Sequence, residues 1–350
     1  VPNRQSAPLT RSGVPAPAAD AKPIASAGAG KGIATQSARG ESINRVDQLR
    51  SERREVKEGN RTVIREPDRT IIREGNRTII RHDESNRFRL GARDVRFERR
   101  GNDNVTIIVR PGGERVVTVL DNNGFLLRRS RFLPDGREII IIDNRPRPGI
   151  RVGNLFVTLA PVRVSIPRER YIVAYREANP TIIYETLTAP PVEVIERPYT
   201  LDEIRYSAPV RDRMPRIDLD TVTFETGSWE LGPEEIQKLA AVADGIKRAV
   251  EANPQEVFLI EGHTDAVGDD NDNLSLSDRR AEAVAVALTE QFQVPPENLT
   301  TQGYGEQHLK VPTQGPEEAN RRVTVRRITP LLMGKNEQGQ PPQQGQPVPR

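Results

Sequence analysis

Gly262-His263-Thr264-Asp265 leads, after a short polar loop, into Asn273-Leu274-Ser275-Leu276-Ser277-Asp278-Arg279-Arg280-Ala281. An apolar run, Val257 to Ile260, leads into it, and an Ala/Val/Leu-rich segment carries on to Leu288. That succession predicts strand, loop, helix. Asp265 falls where the strand gives way to the loop, and Arg280 falls in the first turns of the returning helix. One anionic and one cationic side chain are therefore expected to face one crevice. Ser275, with Asp278 three residues on, reads as a capping box that fixes the helix start and leaves free N–H groups near that crevice.

Further motifs follow in order: Gly268, Asn273, Leu276-Ser277, Arg280-Ala281, Gly303-Tyr304-Gly305-Glu306 and Asn320-Arg321-Arg322-Val323. In these residues the chain resembles the peptidoglycan-binding domain of the OmpA-like family, over residues 217–329. The resemblance implies a non-enzymatic domain that recognises the diaminopimelate residue of peptidoglycan stem peptides. Its side-chain end carries an ammonium and a carboxylate, which call for an acceptor-only partner and a planar donor fork. On this resemblance Asp265 takes the ammonium and Arg280 the carboxylate. Asn273 orients the loop or adds a bond, and Thr264 and Arg321 flank the crevice. Adjacent helical residues point about 100° apart, so Arg279 is expected to turn away and pair with Glu282.

Around that domain the fold class is read as α+β. Pro233 opens a helix to residue 252 whose stripe is Ile236, Leu239, Val242, Ile246 and Val250. With a first strand at Thr221–Phe224, helix 276–291 and later strands at 299–303 and 321–328, the order is βαβαββ. This gives a two-layer α/β domain with a mixed sheet. Residues 1–40, rich in Ala, Pro, Gly and Ser, and the Gln/Pro/Gly-rich tail 330–350 are expected to be disordered.

Residues 41–85 combine a short charged helix with an eight-residue repeat: Asn60 to Glu66, Asp68 to Glu74, Asn76 to His82, each copy opened by a turn pair. Two readings stay open: an arginine-lined surface for anionic partners, or a solvated β-meander with arginine and glutamate paired across strands. Residues 86–204 continue as β structure, with strands at Val105–Val109, Arg115–Leu120, Phe125–Phe132 and Glu138–Asp143 between tight turns. Short β runs are expected at Leu155–Leu159, Tyr171–Tyr175 and Thr181–Thr186, and Leu201 to Ile204 could form one helical turn. The run Ile139 to Ile142 does not alternate and needs cover on both faces. With no helix pattern nearby, docking on later β segments or self-association into a homo-oligomer would supply it. Residues 205–216 read as a Pro-rich linker.

Composition narrows the function classes. The 350 residues are 35% hydrophobic and 29% charged, with a net charge of +3. Near-balance excludes the basic field that drives nucleic-acid binding. There is no cysteine, so no disulfide or thiolate metal site is possible. No apolar run approaches the roughly 18 to 20 residues that span a bilayer. A bacterial lipid anchor is not expected at Val1, because it needs a cysteine as first mature residue. The three histidines give no metal-ligand spacing, no serine-hydrolase elbow occurs, and Gly303-Tyr304-Gly305 is a turn rather than a dinucleotide loop. No cofactor is expected. The expected place is the periplasm, in association with the outer membrane or cell wall, with outer-membrane or envelope proteins as further partners of the β region. The alternative is an envelope enzyme, or a secretion or stator component, that uses the C-terminal domain only for wall targeting.

Overall fold

A computed structural model describes residues 35–36, 42–75, 77–145 and 155–334 of the chain. The disorder expected over 1–40 and 330–350 lies mostly outside these residues. Within them, Thr35–Gln36 pairs with Ser42–Ile43, and residues 329 to 333 form a helix rather than a loose tail.

The charged helix anticipated near residue 41 is only Val46–Arg50 (α1). Asp47, Gln48 and Arg50 face solvent, while Leu49 is fully buried with Ile43, Trp229 and Leu276. Four antiparallel strands follow in chain order: β1 (Arg54–Glu58), β2 (Arg61–Arg65), β3 (Arg69–Glu74) and β4 (Arg77–His82). The register sets Ile64 beside Ile71 and Ile71 beside Ile80. These three isoleucines share one face of the sheet and bury Leu274 of the C-terminal unit. After helix α2 (Ser85–Phe88), a second meander is built from β5 (Asp94–Arg100), β6 (Asp103–Val109), β7 (Arg115–Leu120), β8 (Leu126–Phe132) and β9 (Glu138–Asp143).

The region from 155 to 216 departs from the expected extended structure. Ile172–Ala174 is a strand (β10), but 155–159 is not, and the run 181–186 lies inside helix α3 (Pro180–Thr188). Its proline stands at the first helical position, and the Asn179 side chain accepts from Ile182 N. Proline there starts a helix and does not break one. Thr200 and Glu203 form a reciprocal capping box for α4 (Leu201–Tyr206). The expected linker 205–216 is folded: it carries the end of α4, helix α5 (Ala208–Arg211) and the start of strand β11 (Arg216–Asp218), and none of its residues is exposed. These segments answer the question of cover for β9. Ile141 and Ile142 are buried against Ile195, Tyr199, Leu201, Ile204 and Leu331 of the same chain.

The C-terminal unit then adds α6 (Pro233–Gln237), α7 (Ala240–Ala252), β12 (Phe258–Gly262), α8 (Asp270–Phe292), β13 (Leu299–Gly303), β14 (Val323–Arg327) and α9 (Thr329–Met333). The fold class is α+β, with a mixed sheet in the order β10-β11-β14-β12-β13. The first strand was expected at Thr221–Phe224 and is instead β11, where Ile217 enters the core, joined by Leu219 just past the strand's end. Residues 223 and 224 are left outside the sheet, beside the crevice described below. Phe258 and Ile260 of β12 pack toward α7 and α8, together with Val173 of β10 and Ile183 and Leu187 of α3. Val257 and Leu259 alternate to the other face, under α4 and α9. Both faces of this sheet are thus covered. Among the described residues no helix is long and apolar enough to cross a membrane.

Helix α8 begins earlier than the sequence suggests. Asp269 is its cap, accepting from Asn271 N at 2.9 Å and Asp272 N at 3.1 Å, so the Ser275/Asp278 capping box does not form. Both residues lie inside the helix and face the N-terminal meander. Ser275 Oγ donates to Glu66 Oε2 at 2.6 Å, and Arg69 Nε lies 2.8 Å from Asp278 Oδ2. Arg279 is held by Glu66 and Asp68, at 3.1 and 2.6 Å, and not by Glu282. Glu282 pairs with Arg87, and His82 lies between Asp278 (2.9 Å) and Glu282 (3.5 Å). Glu84 receives Arg129 and Arg205, while Arg131 and Arg110 meet on Glu297. Such pairs add little net stability once desolvation is counted, but stranding either partner is costly. They therefore fix the seating of the meander on α8.

Candidate functional site

Two glycines bring α8 close enough to the sheet to build a crevice. A Cβ at Gly262 would overlap the Ser277 carbonyl, and one at Gly303 would overlap the Asp278 backbone nitrogen. Only a bare backbone permits that approach. It sets Arg280, one turn beyond Ser277, near the end of β12.

Asp265 leaves β12 three residues past its last strand residue and is nearly buried. Its Oδ2 accepts from Arg321 Nη1 at 2.6 Å and from Glu317 N at 3.3 Å. Oδ1 takes only a long contact from Val267 N, at 3.4 Å. Asn273 spends its amide on the loop, donating to Val267 O at 3.2 Å and Glu306 Oε2 at 2.9 Å. It holds the turn that carries Asp265. Thr264 N donates to Gly305 O at 2.9 Å, and its buried hydroxyl has no hydrogen-bond partner among the described residues.

Arg280 is 7% exposed. Its Nε donates to Ser228 O at 2.9 Å and its Nη2 to Glu225 O at 3.1 Å, and the guanidinium sits 4.9 Å from the Phe224 ring centre. The side edge of the fork is thus committed to backbone carbonyls, which leaves Nη1 and the end of the fork for another partner. Burial, then the neighbouring Arg321 charge, pulls its pKa down to about 10, against the opposing pull of Asp265. It stays cationic at neutral pH.

Beside these groups lies a cavity of about 220 Å³, lined among others by Thr223, Phe224, His263, Arg280, Glu318 and Arg321. Asp265 is not in its wall and reaches it through Arg321. The fold therefore brings Asp265, Arg280, Arg321 and Asn273 together, and it turns Thr264 inward. Sequence reading missed Phe224 and the carbonyls of Glu225 and Ser228. Gly227, held at φ +72° between those two carbonyls, was the one local sign of a special turn there.

Residues 223–322 match the model of the OmpA family. The chain is 35% identical over 114 residues to YfiB of Escherichia coli (strain K12), covering 32% of this chain and 68% of that protein. It is 34% identical over 91 residues to outer membrane porin F of Pseudomonas aeruginosa, covering 26% of this chain and 25% of the porin. Among solved structures, the peptidoglycan-associated lipoprotein from Burkholderia pseudomallei aligns over 30% of this chain and 86% of its own, with a TM-score of 0.26 and 24% identity.

Proposed function

The chain belongs to the OmpA family, and we propose that its C-terminal unit binds peptidoglycan non-covalently through the diaminopimelate side chain. In this reading it anchors the outer membrane, or a complex of the envelope, to the cell wall. The observation that carries the reading is a cavity walled by Arg280 and Arg321, with Asp265 directly behind Arg321 in an ion pair. A zwitterionic ligand end meets complementary charge at both of its groups there.

The ligand ammonium goes to Asp265, whose Oδ1 is weakly engaged, and it shares or displaces Arg321 at Oδ2. The ligand carboxylate goes to the open end of the Arg280 fork. Arg321, half exposed, swings toward the same carboxylate once the ammonium has taken its place. Charge-assisted bonds of this kind are strongest where water is excluded, and Arg280 is nearly buried. No step makes or breaks a covalent bond, so the assigned role is binding and not catalysis.

The test is sedimentation of the full chain with purified sacculi of the diaminopimelate type and of the lysine type. Retention by the first and loss with the second is the expected result. Equal retention by both would remove the diaminopimelate reading.

A further inference from the structure

The turn that holds Arg280 is itself held by residues far to its N-terminal side. Val46 N donates to Gly227 O at 2.9 Å, Trp229 N donates to Asn44 O at 3.4 Å, and Ser228 Oγ donates to the same carbonyl at 3.2 Å. Arg45 and Ser228 form an antiparallel bridge. Beneath this backbone pairing, Ile43 and Leu49 pack on Trp229 and Leu276. The turn from 225 to 228 has few other anchors: Glu225, Thr226 and Glu230 are exposed, and Gly227 adopts a left-handed backbone. Yet its two carbonyls, Glu225 O and Ser228 O, are the acceptors that orient the Arg280 guanidinium. The same N-terminal segment reaches the other side of the site, where Arg50 and Arg53 pair with Asp272 in the first turn of α8, next to Asn273.

We propose that residues 43 to 53 are a positioning clasp for the ligand crevice, which presets Arg280 by fixing the Glu225–Ser228 turn. Its consequence for the ligand rests on the wall-binding reading above. Its consequence for Arg280 does not. Without the clasp, a turn with one glycine at positive φ samples other conformations, and the fork loses the acceptors that aim it. Affinity then falls because the bound geometry must be assembled at the moment of binding.

Val46 allows a narrow test. It is the first residue of α1, and the residue before it, Arg45, is extended at φ −136°, ψ 147°. A proline fits both conditions, since it is favoured at the first helical position and wants an extended predecessor. Val46→Pro therefore removes the N–H donated to Gly227 and keeps the helix, whereas Val46→Ala keeps the donor. In the full chain, two quantities are read: hydrogen exchange of the Arg280 Nε–H by nitrogen-15 NMR, and affinity for a soluble muropeptide containing diaminopimelate by calorimetry.

Val46→Pro is expected to speed Nε–H exchange at least tenfold and weaken muropeptide binding about five- to tenfold, with Val46→Ala within twofold of the parent in both. In an Arg280→Ala background, Val46→Pro should add no further loss, as expected of two changes acting through one group. Ser228→Ala, which withdraws the hydroxyl from Asn44 O, should move both readouts in the same direction and serves if the proline variant does not fold. A folded Val46→Pro with a protected Nε–H and unchanged affinity overturns the clasp. Failure of the parent chain to bind muropeptide, with Nε–H exchange still responding to Val46→Pro, overturns the wall-binding reading and upholds the clasp.

Discussion

Arg321 Nη1 lies 2.6 Å from Asp265 Oδ2, so the carboxylate proposed to receive a ligand ammonium already holds a cation of its own chain. Arg321 is 44% exposed at its side chain and Asp265 only 10%. The arginine can leave and the aspartate cannot. The pair keeps a nearly buried carboxylate neutralised, and in the proposed binding mode an incoming ammonium would take the place of the arginine.

Asp265→Ala and Arg280→Ala should each weaken wall binding by about 2 to 5 kcal/mol, because each leaves one ligand charge unpaired in a partly desolvated crevice. The double variant should be barely worse than either single one. Arg280→Lys should rescue poorly, since an ammonium cannot satisfy Ser228 O, Glu225 O and a ligand carboxylate together. Sedimentation with sacculi, beside a thermal melt of each variant, measures this. A folded Arg280→Ala that still sediments fully would leave the crevice without its assigned role.

The seating of the meander on α8 should depend on pH through His82. Burial alone would lower its pKa, but the charges and hydrogen bonds of Asp278 and Glu282 raise it to about 9. A raised folded-state pKa gives stability that is complete below the unfolded value near 6.5 and is lost as pH climbs through about 9. On the acid side, Asp68 and Glu282, held at about 2 against the pull of their burial by Arg69 and Arg279 and by Arg87 and His82, lose their contribution as pH falls from about 4.5 through 2. Maximal stability is expected between about pH 4.5 and 6.5, with a decline of about 3 kcal/mol toward pH 10. Urea unfolding from pH 6 to 10 tests it, and His82→Gln should flatten the alkaline slope.

Gly262→Ala and Gly303→Ala should each destabilise by about 3 kcal/mol or more, since the added Cβ meets helix backbone that cannot move alone. Gly112→Ala, with nothing within 4 Å of its Cβ, should change stability by no more than about 0.5 kcal/mol. Thermal melts of the three variants make the comparison. Melting of Gly262→Ala at the parent temperature would contradict the close approach of α8 to β12.

A fragment beginning at residue 213 removes β10 and α3, and with them Val173, Ile183 and Leu187 from the core. Each such side chain is worth about 1.5 to 3 kcal/mol when buried. That fragment should melt well below one that starts near residue 160, and calorimetry of the two decides whether the unit can be cut at the linker expected from sequence. Equal melting temperatures would show that β10 and α3 are dispensable.

Features that depend on neighbours in the chain were readable from the residues alone. Strands β7 and β9 fall where period and turn residues place them, at Arg115–Leu120 and Glu138–Asp143. The apolar stripe from Ile236 to Val250 is buried as its spacing requires, and the spaced motifs from Gly262 to Val323 disclosed the family. The same motifs singled out Asp265, Arg280 and Arg321, which the fold sets close to one another.

Tertiary structure decided what is set between residues far apart. Ser275, Asp278 and Arg279, inside α8 and not at its cap, are engaged by Glu66, Asp68 and Arg69, some 210 residues away. Proline misled the reading of 180–188, since whether it starts or stops a helix depends on the cap before it and on the core it can reach. The cover for β9 and the hold on Arg280 are of the same kind. Both come from backbone and apolar groups that carry no mark in composition, and only the folded chain brings Asn44 and Val46 to the turn at Gly227.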